Sequence, residues 1–442
     1  MFVLTCALQL GMLPPMAGQF HCITLAAPLA NFLAIPLTGI IVPLGFVGNL
    51  LFAPLGRILA LPLSWVTLLL IHIVQWCAHI RHTSYRIPGH ATWTTVIFFV
   101  TLVMIITCLR ITSPFRKIAL NCSFAILAVG AIVIATSPFA PRITSGQLEV
   151  NVLDVGQGDS LFVVSPGGKT MLIDGGGAFA GFPGQVVQQG SDPGEEAVSP
   201  YLWSRGFKKI DVVALTHAHQ DHAGGLAAVL ENFQVGKLWI GRDVSAPALA
   251  KLADIARREN IPIEHESRGM EFAMDGVVGQ FLWPAASTEN PAITAKNNGS
   301  LVLHLQYGKR SLLLPGDAEK QAERSILGGN PPDLLHADVL KIGHHGSKNS
   351  TTEEFLIAVH PRIAVISAGE SNAYGHPSPE LLERLEAVGV RILRSDRDGA
   401  VRIITNGENL EISCFVACPE PQAIAASTSA QIPNQSKNDQ QQ

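Results

Sequence analysis

The first 141 positions are apolar with few interruptions. Residues 22–56, 58–78, 93–109 and 118–141 form four uncharged runs, each at or above the roughly 17–25 residues that cross a bilayer as a helix. Residues 1–20 offer one further span, weakened by Pro14-Pro15. A cleaved signal peptide is the alternative there, but a basic leading segment is lacking. Past a short linker at 142–146 the pattern changes to brief apolar runs between Gly-rich or polar breaks. Strands are predicted over 148–155, 160–164, 170–173, 211–215, 237–240, 261–264, 300–306, 310–314, 337–342 and 363–367, and near 391–394 and 400–404. Helices are predicted over 197–205, 224–232, 247–258, 318–327, 352–359 and 378–388. Residues 175–194 form a long Gly-rich loop, and Tyr307-Gly308-Lys309 turns a hairpin. This alternation predicts an α/β domain with two sheets packed between helices. Residues 419–442 are rich in Ser, Ala, Gln and Asn and are expected to be a disordered tail. The organisation is therefore a transmembrane helical region at 1–141, an α/β domain at 147–415 and the tail.

Charge follows the same division. No Asp or Glu precedes Glu149, and that stretch holds seven basic residues: Arg57, Arg81, Arg86, Arg110, Arg116, Lys117 and Arg142. Of 31 basic residues 24 remain beyond it, against all 35 acidic ones, a balance of −11. A succession of long acid-free runs excludes the buried helices of a soluble domain. Arg110, Arg116 and Lys117 lie between the last two runs. If that loop is cytoplasmic, everything after Pro141 lies on the outer face; Arg81 and Arg86 then face outward and dilute the asymmetry. The expected location is the cell inner membrane, multi-pass, with the polar domain extracytoplasmic. Of seven cysteines, only Cys414 and Cys418 lie in the polar half. On a strand, positions i and i+4 are too far apart to bridge, so no structural disulfide is expected. No four-ligand zinc pattern is present.

The candidate chemistry is concentrated at residues 215–225, Leu-Thr-His-Ala-His-Gln-Asp-His-Ala-Gly-Gly. His217, His219, Asp221 and His222 follow an apolar strand directly. Imidazole and carboxylate ligands at this density suit two divalent cations, whose bound water is a hydroxide source near neutral pH. Further ligands are expected at other strand ends. Asp317 ends the run Leu312-Leu313-Leu314-Pro315-Gly316 and could bridge two cations; a helix N-cap is the other role open to it. His344 and His345 end another strand beside glycine, where a surface turn is the alternative. His376 precedes helix 378–388. Asp154 and Asp174 could orient ligating histidines through their second ring nitrogens. Turn chemistry explains the neighbouring glycines equally well. The Gly-rich stretches match neither a phosphate loop nor a dinucleotide fingerprint.

Residues 217–222 match the His-x-His-x-Asp-His signature of the metallo-β-lactamase superfamily. Asp317 resembles its bridging aspartate and His376 its late second-metal histidine. The resemblance covers about 147–415 and implies an αββα sandwich binding two divalent metals. Residues 154–160, 172–176, 298–301, 343–347 and 374–377 together resemble the C-terminal domain of the ComEC family of competence DNA-uptake channels. Pro28-Leu-Ala-Asn-Phe-Leu-Ala-Ile-Pro36 is similar to the end of that family's membrane domain. Two departures matter. The superfamily's third first-site histidine is missing, since residues 296–300 read Lys-Asn-Asn-Gly-Ser, and His304 is expected to be a packing residue. Either His344 or His345 compensates, or the first site prefers manganese to zinc. Second, the family's additional N-terminal domain and further spans are missing, so the chain is expected to be a truncated or split member, with a separate channel part or other uptake proteins as partners.

The resemblance implies a membrane-anchored nuclease that degrades one strand of incoming DNA, with Asp221 and His219 as the residues whose loss abolishes turnover. The acidic balance weighs mildly against general DNA affinity, although Lys208-Lys209, Lys341 and Lys348 could form local basic patches. The alternatives are a hydrolase of a small ester, thioester or lactam, and a DNA-transport component without turnover.

Overall fold

The computed structural model describes residues 2–50, 53–78, 80, 83–177, 192–241, 246–285, 296–370 and 372–418. The predicted tail at 419–442 lies outside the described residues. The chain divides into two compact units.

The first unit takes Met1–Ile143 with two short later pieces, Ser199–Lys209 and Asn232–Gln234. Its long helices are α1 (Ala27–Leu50), α2 (Ala53–Ala78), α3 (Thr92–Arg110) and α4 (Arg116–Thr136). All four are long and apolar enough to cross a membrane. α1 packs on α2, and α3 on α4. Phe98, Ile105, Leu127 and Ile134 form a buried seam between the second pair. Elsewhere the helices turn Phe46, Trp65, Leu69, Val100 and Ile132 outward. Apolar surface of that extent is stable in a lipid solvent, where each helix also satisfies its own backbone. The four helices fit a transmembrane region. The first twenty residues do not form one span. Phe2–Gly11 and Leu13–Gln19 are separate helices of 10 and 7 residues, too short for a ~30 Å hydrocarbon core at ~1.5 Å per residue.

The second unit begins at Thr144 and holds two mixed sheets. One contains β1 (Leu148–Val152), β2 (Leu161–Val164), β3 (Thr170–Ile173), β4 (Lys209–Leu215), β5 (Gln234–Ile240) and β6 (Ile263–His265). The other contains β7 (Glu271–Met274), β8 (Val277–Trp283), β9 (Val302–Tyr307), β10 (Arg310–Leu314), β11 (Val339–Lys341), β12 (Ile363–Ile366) and β13 (Arg391–Arg394). The chain then returns to the first sheet with β14 (Val401–Thr405) and β15 (Leu410–Cys414). The orders are β15-β14-β1-β2-β3-β4-β5-β6 and β13-β12-β11-β10-β9-β8-β7.

Period-two alternation sends half of each strand into the space between the sheets. Val150, Met171, Ile173, Val212 and Ala214 meet Leu303, Leu312, Leu314, Val339 and Val365 there in one core. The residues between them, such as Leu172, Val213, Leu313 and Leu340, face outward and are equally buried. Helices Lys320–Gly329, Glu353–Val359 and Pro379–Ala387 cover the second sheet through Ile326, Phe355 and Leu381. Helices Leu226–Asn232 and Pro247–Arg258 bury Leu226, Val229, Leu252 and Ile255. The layers are helix, sheet, sheet, helix. Burial on both faces is why these strands read as unbroken apolar runs.

Three elements escape the apolar pattern. β7 and β8 form a hairpin about Asp275 (φ 51°) and Gly276 (φ 89°), and Asp-Gly is itself a strong hairpin signal. β15 is an edge strand with no fully buried residue, so its alternation is weak. The expectation of no disulfide is overturned. β15 ends at Cys414, and the chain turns as Phe415 N–H donates to Ala400 O and Val416 N–H to Asp398 O. Cys418 is thereby drawn to a Cα–Cα distance of 5.0 Å from Cys414, and the two are disulfide-bonded. A straight strand through both positions would have kept them apart.

Candidate metal centre

β3 and β4 run parallel, with Ile173 opposite Ala214. β10 and β11 are also parallel, with Leu313 opposite Leu340. Parallel strands deliver their C-terminal loops to the same edge, the usual place for a site in such sheets. Asp174, the 217–222 cluster, Asp317 and the pair His344-His345 all follow these strand ends.

The centre of the arrangement is Asp317 Oδ2. His222 Nε2 lies 3.2 Å from it, His345 Nε2 3.7 Å, His217 Nε2 3.8 Å and His344 Nε2 3.9 Å. Asp221 Oδ2 is 3.3 Å from His345 Nε2. Among the described residues, Nε2 of His217, His222 and His345 and Oδ1 of Asp317 are buried without a hydrogen-bond partner. Each such atom costs about 1–3 kcal/mol unless something else satisfies it. Donor atoms of Asp221, His222, Asp317 and His345 all lie within 4.8 Å of one another. This donor set fits a divalent cation.

The ring nitrogens facing away from Asp317 fix the imidazoles. His222 Nδ1 donates to Asp174 Oδ2 at 2.7 Å, and Asp174 also accepts from Thr216 N–H (2.8 Å) and Oγ1–H (2.6 Å). His345 Nδ1 faces Ser367 O at 3.1 Å and Asp159 Oδ1 at 3.4 Å. With acceptors at Nδ1, a proton is held there, and Nε2 is the nitrogen whose lone pair a divalent cation would take. Asp174→Asn is expected to weaken divalent-metal affinity roughly 10–100-fold without unfolding the chain, as read by manganese titration calorimetry beside a thermal melt.

The carboxylates set the charge. Burial opposes ionisation of Asp317, but His222 and His345 outweigh it and hold its carboxyl well below the usual carboxylate range. Burial likewise opposes charging His345, yet Asp317 and Asp159 hold its pKa up to about 9. His222 is raised for the same reason, by Asp317 and Asp174 against burial. His217 is lowered well below the ordinary value by burial and by His222 beside it. Two imidazolium charges thus compensate the buried carboxylates, and a divalent cation would supply the same charge.

The glycines beside the motifs bring backbone to backbone. A Cβ on Gly175 would meet Leu226 N at 2.7 Å, and Gly175 N–H donates to His222 O at 2.7 Å. Gly158 has φ 138°, and a Cβ there would collide with the carbonyl oxygen of Asp221. Asp159 N–H donates to that same oxygen at 3.1 Å. Residues 156–159 and 175–177 are therefore the floor on which the 217–225 loop lies. His344 and His345 are both left-handed, with φ of 49° and 53°. That conformation costs roughly 1–3 kcal/mol per non-glycine residue, and it points successive imidazoles into one site.

Several expectations are redistributed. His345, not His376, stands beside both Asp221 and Asp317. His376 lies one ring further out, 5.7 Å from the His344 ring and 6.0 Å from Tyr374, between ring centroids. Burial, then His344, depresses its pKa to about 4. His219 is half-buried, its ring 4.6 Å from that of His217. The two histidines line a cavity of about 140 Å³ with Leu215, Ile240, Ala246 and Leu249. Where the third histidine was missing, Asn297 Nδ2 lies 3.4 Å from both His344 ring nitrogens, and Ser300 Oγ lies 3.3 Å from His217 Nδ1. His304 is a packing residue, its Nε2 3.2 Å from His336 O.

Asp154 does not orient a histidine; it is exposed and accepts from Gly156 N–H. Asp159 faces His345 instead. Both carboxylates lie in one Gly-rich run, and periodicity does not tell them apart. Lys341 is not a surface cation: it is 2% exposed and pairs with Asp159 at 2.6 Å.

The metallo-beta-lactamase superfamily model matches residues 153–370, and the competence protein family model matches residues 1–112. The second unit is thus a metallo-β-lactamase fold, a class that implies divalent-metal binding. ComE operon protein 3 of Bacillus subtilis is 33% identical over 405 residues, covering 89% of this chain and 50% of that protein. Competence protein ComA of Neisseria gonorrhoeae is 28% identical over 390 residues, covering 87% and 48%. With both domains in this order, the chain belongs to the ComEC family. It spans about half the length of the curated relatives it matches.

Proposed function

We propose that this chain is a membrane-anchored, metal-dependent nuclease that degrades one DNA strand during uptake in natural transformation. The convergence of four imidazole nitrogens within 3.9 Å of Asp317 Oδ2 carries the reading. His217, His219, Asp221, His222, Asp317 and His345 would hold two divalent ions, with His344 and His376 lining the outer side. Such ions would supply a hydroxide near neutral pH and neutralise charge on the transferring phosphate. The chain's own part is to aim the Nε2 atoms through Asp174, Asp159 and Ser367, and to keep Asp317 ionised. Nitrogen and oxygen donors suit zinc or manganese, and the oxygen-rich surroundings of Asn297 and Ser300 favour manganese.

DNA as substrate rests on the competence segment and on the relatives' names. A separate channel part or other uptake proteins would complete the pathway. Disulfides persist in oxidising compartments, so the Cys414–Cys418 bond supports an extracytoplasmic domain on the inner membrane. An orientation with Arg110, Arg116 and Lys117 on the cytoplasmic side would agree with it.

Detergent-solubilised full chain is expected to cleave DNA with manganese, less so with magnesium or zinc, and not after chelation. Folded, metal-loaded protein that leaves DNA intact in all three metals would refute the nuclease. The second reading, a hydrolase of a small ester, thioester or lactam, draws on the largely apolar cavity beside His217 and His219. Turnover of a chromogenic lactam or thioester without DNA cleavage would favour it.

A further inference from the structure

Lys341 is among the largest fully buried side chains of the protein. Its Nζ lies 2.6 Å from Asp159 Oδ2 and donates to Ile342 O at 2.9 Å. The other oxygen of Asp159 lies 3.4 Å from His345 Nδ1, beside the Ser367 carbonyl at 3.1 Å, and His345 Nε2 faces Asp221 and Asp317. The backbone of Asp159 is tied to the same loop, since its N–H donates to Asp221 O at 3.1 Å and its carbonyl accepts from Gly176 N–H at 2.7 Å. Packing alone gives no reason for this pair. A buried ion pair can usually be replaced by apolar side chains of similar volume at no loss of stability. The two orienting carboxylates also differ. Asp174 receives an N–H and a hydroxyl from Thr216, whereas Asp159 receives a full cation.

We propose that Lys341 and Asp159 act as a positioning pair for His345, the cation holding the carboxylate beside Nδ1 so that it and the Ser367 carbonyl together aim His345 Nε2 at the metal position next to Asp221. Neither residue is among the metal ligands of that reading. The proposal rests on the metal-centre reading. It makes the cation next to Asp221 depend on the lysine that ends β11, the strand that leads to His345.

Lys341→Met alone strands a buried carboxylate and is expected to destabilise the chain, so the informative variants change both residues. Lys341→Met with Asp159→Leu removes the carboxylate and both charges together and leaves the Ser367 carbonyl. Lys341→Met with Asp159→Asn removes the charges and keeps an acceptor oxygen. Manganese binding to detergent-solubilised full chain is followed by titration calorimetry, with a thermal melt for each variant. The wild type is expected to bind two ions. The leucine variant should melt near the wild type, keep one ion at wild-type affinity and bind the other roughly 10–100-fold more weakly. The asparagine variant should recover most of that loss. Two ions bound at wild-type affinity by the leucine variant would reduce the pair to packing and overturn the proposal. So would an asparagine variant that binds the second ion no better than the leucine variant, and if the leucine variant fails to fold, an asparagine variant weakened 10-fold or more decides against it. A wild type that binds no metal at all would be a different result, ending the metal-centre reading and this proposal with it.

Discussion

Asp317→Ala is expected to abolish high-affinity divalent-metal binding and any metal-dependent hydrolysis. Four imidazole nitrogens lie 3.2–3.9 Å from one oxygen of this carboxylate, and among the described residues no other side chain is shared so widely. It is 1% exposed, so water does not take its place readily. Removing it leaves His222 and His345 facing one another without their main counter-charge. Partners that only orient ligands are worth roughly 10–100-fold in affinity, and a carboxylate beside four of the imidazoles should exceed that range. Manganese titration and elemental analysis of the purified chain measure the loss, and a thermal melt establishes that the variant is folded. Wild-type metal content in the folded variant would remove Asp317 from the centre. Asp221→Ala should be milder in binding, because the one imidazole nitrogen that Asp221 meets at ion-pair distance among the described residues is His345 Nε2.

The second large effect is expected at a residue that carries no chemistry. Gly158→Ala should destabilise the second unit by about 2–6 kcal/mol, the sum of about 1–3 for a side chain forced to a glycine-only backbone conformation and about 1–3 for overpacking. Its φ is 138°, and the new Cβ would run into the carbonyl of Asp221, which is backbone and cannot rotate away. For a unit of this size, roughly 2–4 °C per kcal/mol predicts a melting temperature lower by about 5–20 °C. The push falls on Asp221, so manganese affinity should drop even in the folded fraction. Gly328→Ala is the control. It lies in helix Lys320–Gly329 with open space around it, and alanine there should be neutral or stabilising by up to about 1 kcal/mol. Equal melting temperatures for the two alanine variants would mean that the floor beneath the 217–225 loop is not tightly packed.

Much of the site could be read along the chain because its ligands share one address. Asp174, His217, Asp317 and His344-His345 each follow an apolar run directly, and a strand end beside glycine is a local feature. The apolar half was equally legible, since composition alone separates helices that fit a membrane from a soluble core. What stayed hidden depended on who faces whom. Asp154 and Asp159 lie in the same glycine-rich run, yet only Asp159 faces His345. Lys341 reads as a surface cation because lysine is so rarely buried, and only its pairing with Asp159 shows otherwise. Cys414 and Cys418 meet because backbone hydrogen bonds to residues 398 and 400 turn the chain between them.

The sequence by itself determined the two-part organisation, the strand ends that carry imidazoles and carboxylates, and the family. These follow from short-range regularities: run length, a period of two, and residue chemistry at fixed spacing. Only the tertiary structure decided that His345 rather than His376 stands beside Asp221 and Asp317, and that a buried lysine backs the orienting carboxylate. The parallel pairing of β3 with β4 and of β10 with β11, and the left-handed turn at His344-His345, bring those side chains together. Strand register and backbone handedness arise from packing across the whole domain, and local periodicity carries no record of them.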